Sequence, residues 1–198
     1  FFNPFHWGNT LKKQKVRLVK INEARHMAIT PPLRVSFPQV FEARAFEEGD
    51  DKFFQVDLIA DSLDDFKQPY KGKKKKTPSM MQVVTNAKKD QWGEDKEAWP
   101  KFAYPVFKKG NERKNEETGE IYEGYKGKFF ITAKSGEKFP PKVIDKDGTE
   151  LTETDFYGGC IARAQLIARP YHYGKNKGVR FILLQLMKVE DGERFGGV

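Results

Sequence analysis

Two long apolar-rich runs, separated by a basic and aromatic stretch that contains no acid, constrain this chain more than any other feature. The first runs from Gly159 to Arg169 and the second from Val179 to Val189. Between them lies Pro170-Tyr171-His172-Tyr173-Gly174-Lys175-Asn176-Lys177-Gly178. Runs of this length, rich in Ile, Leu and Val and bounded by Gly and Pro, predict two strands joined by a loop over 170–178. A lone hairpin is barely stable in water, so these strands require a larger sheet around them. Cys160, Leu166, Ile182, Leu184 and Leu186 are the residues expected to hold that sheet together.

Strand signals recur upstream. Lys12 to Ile21 alternates loosely through Val16 and Leu18, as a half-exposed strand does. Leu33 to Phe37 follows Pro31-Pro32 and is expected to end at Pro38, because proline cannot donate to a ladder. Phe53 to Ala60 places Phe54, Val56 and Leu58 on one face. Tyr125 to Ala133 and Lys142-Val143-Ile144 add two more, and Asp145-Lys146-Asp147-Gly148 reads as a turn. Leu151 to Phe156 fits a short turn or one turn of helix.

Only one segment has convincing helical spacing. Met80, Met81, Val83, Val84, Ala87 and Trp92 follow Thr77-Pro78, which reads as a cap and a first-turn proline, and Gly93 closes the run. Glu94 to Glu123 is polar and irregular, with Trp99-Pro100 and Tyr104-Pro105 inside it, and reads as an insertion. The expected fold is therefore all-β with one main helix: an OB-type, partly open barrel of five strands carrying a helical and loop insertion. A β-sandwich fits the same strands almost as well. The 198 residues suit one domain, 1–198, with an N-terminal arm at 1–12 and the insertion at 94–123.

Chemistry that would imply a reaction is sparse. Glycines 124 and 127 precede Lys128, but the spacing of a phosphate-binding loop is absent. Asp145 to Gly148 opens like a calcium loop yet lacks the closing glutamate. His6, His26 and His172 are scattered singly, without metal-ligand spacing. A metal nuclease needs clustered acids beside a strand lysine, whereas Glu190, Asp191 and Glu193 cluster on an expected turn near the end. No catalytic residue, metal or cofactor is expected. The single cysteine, Cys160, cannot form an internal disulfide, and this usage suits a cytoplasmic compartment. No apolar run is long enough to cross a membrane as a helix.

Charge points toward an anionic partner. Lys plus Arg number 36 against 28 Asp plus Glu, a net charge of +8. Single-stranded nucleic acid is held by cations along its phosphates and by rings against its bases. Candidate residues of this kind are Lys126 and Lys128, then Arg163, Arg169, Tyr171, Tyr173, Lys175, Lys177 and Arg180 around the hairpin. The run Lys73, Lys74, Lys75 and Lys76 is either a solvated loop or a further track for phosphates.

The order of several short motifs resembles the single-stranded DNA-binding proteins of tailed bacteriophages. They are Arg34-Val35-Ser36-Phe37-Pro38 with Phe41-Glu42-Ala43, Trp92-Gly93, Tyr125-Lys126-Gly127 leading into Phe130-Ile131-Thr132-Ala133-Lys134-Ser135, and Pro141 with Val143-Ile144-Asp145. Phe156-Tyr157-Gly158-Gly159-Cys160, Lys177-Gly178-Val179 and the run Asp191 to Gly197 complete the set. The resemblance implies an OB fold. It also implies sequence-nonspecific, non-enzymatic binding of single-stranded DNA in phage replication or recombination, inside the cytoplasm of a bacterial host. A metal-dependent DNA nuclease and a phage structural protein are the alternatives. In such phage proteins an acidic C-terminal tail recruits phage or host replication proteins. This chain ends at Gly196-Gly197-Val198 without one and opens at Phe1 without methionine, so further segments are expected at both ends.

Overall fold

The structure, a computed structural model, describes residues 18–196. The expected arm at 1–12 and most of the expected strand at 12–21 lie outside the described residues. From Leu18 to Asn22 the chain is irregular rather than extended. A short helix α1, Glu23–His26, leads into strand β1, Met27–Ile29. Strands β2, Leu33–Arg44, and β3, Phe53–Ala60, follow. A two-stranded hairpin of β4, Tyr70–Lys71, and β5, Lys76–Thr77, precedes helix α2, Met80–Trp92. Strand β6, Lys108–Lys109, lies in the insertion. Strands β7, Phe129–Gly136, β8, Lys142–Ile144, β9, Ile161–Tyr173, and β10, Asn176–Glu190, complete the order.

The main sheet runs β1-β9-β2-β3-β7-β10-β8, with β9 also paired to β10 and β6 to β7. Five strands, β9, β2, β3, β7 and β10, thus run round a barrel-like sheet. Two joints in it are thin. β2 meets β9 only at Leu33 and Arg34, and β7 meets β10 only at Ala133 and Lys134. The expected OB-type arrangement with one main helix is present.

Period-two burial explains why these strands pair as they do. Phe54, Val56, Leu58 and Ala60 of β3 face the core, as their alternation predicts. Ala162, Ala164, Leu166 and Ala168 are the buried set of β9. Small alanines there let α2 pack against β9 through Met80, Val83, Val84 and Ala87. On β10 the buried residues are Val179, Phe181 and Leu183, then Leu186. The ladder slips between Leu183 and Gln185, so Leu184 is an extra residue that switches the inward parity from odd to even. Ile182 and Leu184, expected in the core, are therefore only half-buried. Cys160, Leu166 and Leu186 are buried as expected, and burial pushes the Cys160 thiol up.

Two further boundaries differ from expectation. β2 does not stop at Pro38 but continues to Arg44. The ladder to β3 is irregular between Ser36 and Gln39, and Phe37 sits in the left-handed region at φ 45°. A bulge is one of the few positions where a strand tolerates proline. Helix α2 is capped by Ser79, whose Oγ accepts from the Gln82 N–H at 3.1 Å, and not by Thr77. The Thr77 Oγ1 instead accepts from the Ile29 N–H, which ties β5 to β1.

Candidate nucleic-acid interface

The hairpin carries its ladder almost to its tip. Tyr173 pairs with Asn176, leaving Gly174 and Lys175 as a two-residue turn in place of the nine-residue loop expected. Gly174, at φ 55°, takes the positive-φ first position that such a turn demands. The stretch reads as a loop because it is polar on both faces, which is what a ribbon projecting from a barrel requires. Tyr171 and Tyr173 are thus strand residues on the same face as Arg163 and Arg169.

Across the ladder, Arg180 pairs with Arg169 and Gly178 with Tyr171. A Cβ on Gly178 would stand 2.6 Å from the Tyr171 hydroxyl, so the ring lies across that glycine. Lys177 pairs with His172 and falls on the opposite face of the ribbon. Burial lowers the Arg180 guanidinium pKa, Arg169 lowers it further, and Tyr171 opposes them. Burial likewise raises the Tyr171 hydroxyl, assisted by Tyr104 from the insertion. The insertion is joined to the ribbon by the Ala103 N–H, which donates to the Lys177 carbonyl at 3.0 Å.

The same outward face continues over β7, β3 and β2. Ile182 pairs with Lys134 on β7, Lys134 with Gln55 on β3, and Gln55 with Gln39 on β2. The Lys134 ammonium stands 4.5 Å from the centroid of Phe53. Burial, then Lys108, lowers its pKa to about 8, with Arg113 and Arg180 acting the same way and Asp57 opposing. Lys108 reaches Thr132 Oγ1 at 3.3 Å and lies over the Phe130 ring. Arg113 stands over Phe37, 5.0 Å from the ring centroid. Phe37 and Phe41 are exposed, and with Gln39, Gln55 and Arg113 they line a groove of about 290 Å³.

The centre of this face holds one buried acid, Asp57. Its Oδ2 accepts from the Tyr125 hydroxyl at 2.7 Å and from Arg113 Nε at 3.2 Å. Its Oδ1 accepts from the Thr132 hydroxyl at 2.6 Å. Burial, then Asp57, raises the Tyr125 pKa, which keeps the phenol a donor. Tyr125 is fully buried in a small outer cluster with Ile59 and Phe130, so it is a core residue and not an exposed ring.

The remaining sequence candidates separate into two groups. Lys126 is exposed on the turn beyond Tyr125, while Lys128 is paired with Asp61 at 2.5 Å. Lys73, Lys74, Lys75 and Lys76 are exposed on the β4–β5 hairpin. The Tyr70 ring at its root lies 5.3 Å from the Arg163 guanidinium, which also donates to the Thr30 carbonyl at 2.9 Å. Arg163 therefore belongs to the lysine hairpin's end of β9. From there to Tyr173 is ten residues of strand, roughly 33 Å.

Sequence reasoning missed Phe37, Phe41, Lys108, Arg113 and Lys134. Alternation along Phe130-Ile131-Thr132-Ala133-Lys134 was a signal that could have found Lys134. The bulge that exposes Phe37 and the fold of the insertion that delivers Lys108 and Arg113 have no such local pattern. Among the described residues no group of three or more His, Cys, Asp or Glu side chains is placed to hold a metal ion. No helix among them is long and apolar enough to cross a membrane.

Comparison with known proteins gives this face a context. The single-stranded DNA-binding protein of bacteriophage Enc34, solved in complex with ssDNA, superposes with a TM-score of 0.61 at 16% identity, covering 93% of this chain and 100% of that one. A C-terminal truncation of the same phage protein gives a TM-score of 0.59 at 16% identity, over 92% and 99% of the two chains. The gp2.5 single-stranded DNA-binding protein of bacteriophage T7 gives 0.55 at 12% identity, over 86% and 90%. No curated protein matches the chain by sequence. The family model described as the ssDNA-binding protein of Enterobacter phage Enc34 matches residues 26–198. With that model spanning most of its length, this chain belongs to the Enc34 ssDNA-binding protein family.

Proposed function

We propose that this protein binds single-stranded DNA without sequence preference and without catalysis, in phage replication or recombination within the infected bacterial cytoplasm. The observation that carries the reading is the continuous outward face from Tyr173 to Phe41. On it, arginines and lysines alternate with accessible rings, and the central acid is already engaged by three donors. Arg169, Arg180, Lys134, Lys108 and Arg113 supply charge along a phosphate backbone. Tyr171, Tyr173, Phe37 and Phe41 offer faces to bases, which only an unpaired strand can present. Lys126, Lys175 and the lysine hairpin with Arg163 extend the positive field at its margins.

The test compares oligo-dT, duplex of the same length and the equivalent RNA strand across a salt series. Oligo-dT is expected to bind best, with log affinity falling by about 0.7 per log salt for each phosphate neutralised. Equal affinity for duplex and single strand at every salt would overturn the reading. Cleavage of labelled DNA on adding magnesium or manganese would replace it with a nuclease. A stable self-assembly with no DNA affinity would replace it with a structural protein.

Lys134 adds a pH dependence whose sign is fixed. In the folded protein its ammonium deprotonates near pH 8, whereas in the unfolded chain it holds its proton to about pH 10.4. The native state thus binds fewer protons in that window, so folding stability rises with pH there. A phosphate beside Lys134 favours the ammonium, so binding takes up a proton. Affinity for oligo-dT is expected to fall about tenfold between pH 7 and pH 9.5, and Lys134→Gln to flatten the profile. Titrations in matched ionic strength check this.

A further inference from the structure

A carboxylate at the centre of a surface for a polyanion is at first sight a defect. Asp57 is 3% exposed and sits on β3 between the arginine and lysines of the neighbouring elements. Leaving such a charge unpaired is strongly destabilising, and this one is met by three donors from three separate segments. Thr132 comes from β7, Tyr125 from the turn before it, and Arg113 from the insertion. Two of these are neutral hydroxyls that fix the carboxyl group in place. The third is a guanidinium that donates to the carboxylate through Nε, with side-chain exposure of 38%. Arg113 also lines the groove, with its guanidinium 5.0 and 5.8 Å from the centroids of the adjoining Phe37 and Tyr122 rings.

We propose that Asp57 is a positioning residue for nucleic-acid binding: it holds Arg113 against Phe37, so removing this negative charge weakens the grip on DNA. The inference rests on the proposed single-strand function and names how that face is held. Coulomb's law applied to the bare charge gives the opposite sign, since a neutral residue repels phosphate less. Geometry decides between them. The backbone of Arg113 is held by a single 3-10 turn, Gly110–Glu112, and Asp57 supplies the fixed point for its long side chain. The charged and titratable groups facing Asp57 are Arg113, Lys108 on β6, Lys134 on β7 and Tyr125. The carboxylate holds up the pKa values of Lys108 and Lys134 against burial and mutual repulsion. Its loss therefore also thins the cationic field around it.

The experiment first measures the wild-type protein on oligo-dT and duplex, which tests the single-strand reading by itself. Asp57→Asn is then compared with Arg113→Gln and with the double variant, each checked for folding by thermal denaturation. Asp57→Asn is expected to bind oligo-dT about tenfold more weakly. Its salt slope should be shallower by about 0.7, one phosphate contact fewer. The alkaline fall in affinity should shift to lower pH. At pH 7 the same change in the Arg113→Gln background should cost much less than in the wild type, because most of its effect passes through the Arg113 contact. Equal or tighter binding with an unchanged salt slope, or losses that add in the double variant, would overturn the inference. Should Asp57→Asn fail to fold, Arg113→Lys carries the test. It keeps the charge but loses the fork, and is expected to show the same loss and slope. Wild-type affinity for Arg113→Lys would overturn the inference.

Discussion

Tyr171→Ala combined with Tyr173→Ala is expected to weaken binding to oligo-dT by about thirtyfold or more. Each base stacked on an aromatic ring contributes roughly 1–3 kcal/mol, and the lower bound for two rings is about 2 kcal/mol. The pair also tests placement. Tyr173 is 48% exposed beside the turn, and Tyr171 lies across Gly178 rather than in the barrel interior. The melting temperature is expected to stay within about 2 °C of wild type. Fluorescence anisotropy and thermal denaturation on the same samples check both. A large fall in melting temperature would assign the rings to folding, and unchanged affinity would remove them from the interface.

The largest expected effect on stability belongs to Gly110→Ala. Gly110 lies where the insertion crosses the turn before β7, and its N–H donates to the Lys128 carbonyl at 2.8 Å. A Cβ there would overlap the backbone carbonyl of Tyr125 and press on that of Lys128. Backbone cannot rotate away as a side chain can, so one of the two segments must shift. A loss of about 3 kcal/mol is expected, roughly 10 °C in melting temperature for a chain of this size. Arg113 is three residues further on and Tyr125 holds Asp57, so single-strand binding should fall with it. A variant that melts and binds like wild type would show that the crossing is looser than described.

The sequence revealed strands wherever one face was uniformly apolar. β3 and β8 fall at the residues expected, because Phe54, Val56 and Leu58 alternate cleanly and Val143-Ile144 is a short apolar run. It failed where strands leave the core. The distal part of the β9–β10 ribbon has no apolar face, so its ladder read as a loop. It failed again at bulges, because Leu184 and Phe37 change parity or direction without any change in composition. For the candidate site, the ribbon residues were legible from local charge and rings. Arg113 and Lys108 were not, since their position depends on how an irregular segment packs against Tyr125 and Lys128.

Phe37 has a consequence of a different kind. An aromatic residue held at φ 45° before a proline stores roughly 1–3 kcal/mol of conformational strain. Glycine at that position would release it, so Phe37→Gly is expected to melt no lower than wild type while binding oligo-dT more weakly. Selection for heat tolerance and selection for DNA retention would then pull this one codon in opposite directions. A library screened only for survival at high temperature should lose the aromatic at 37 first.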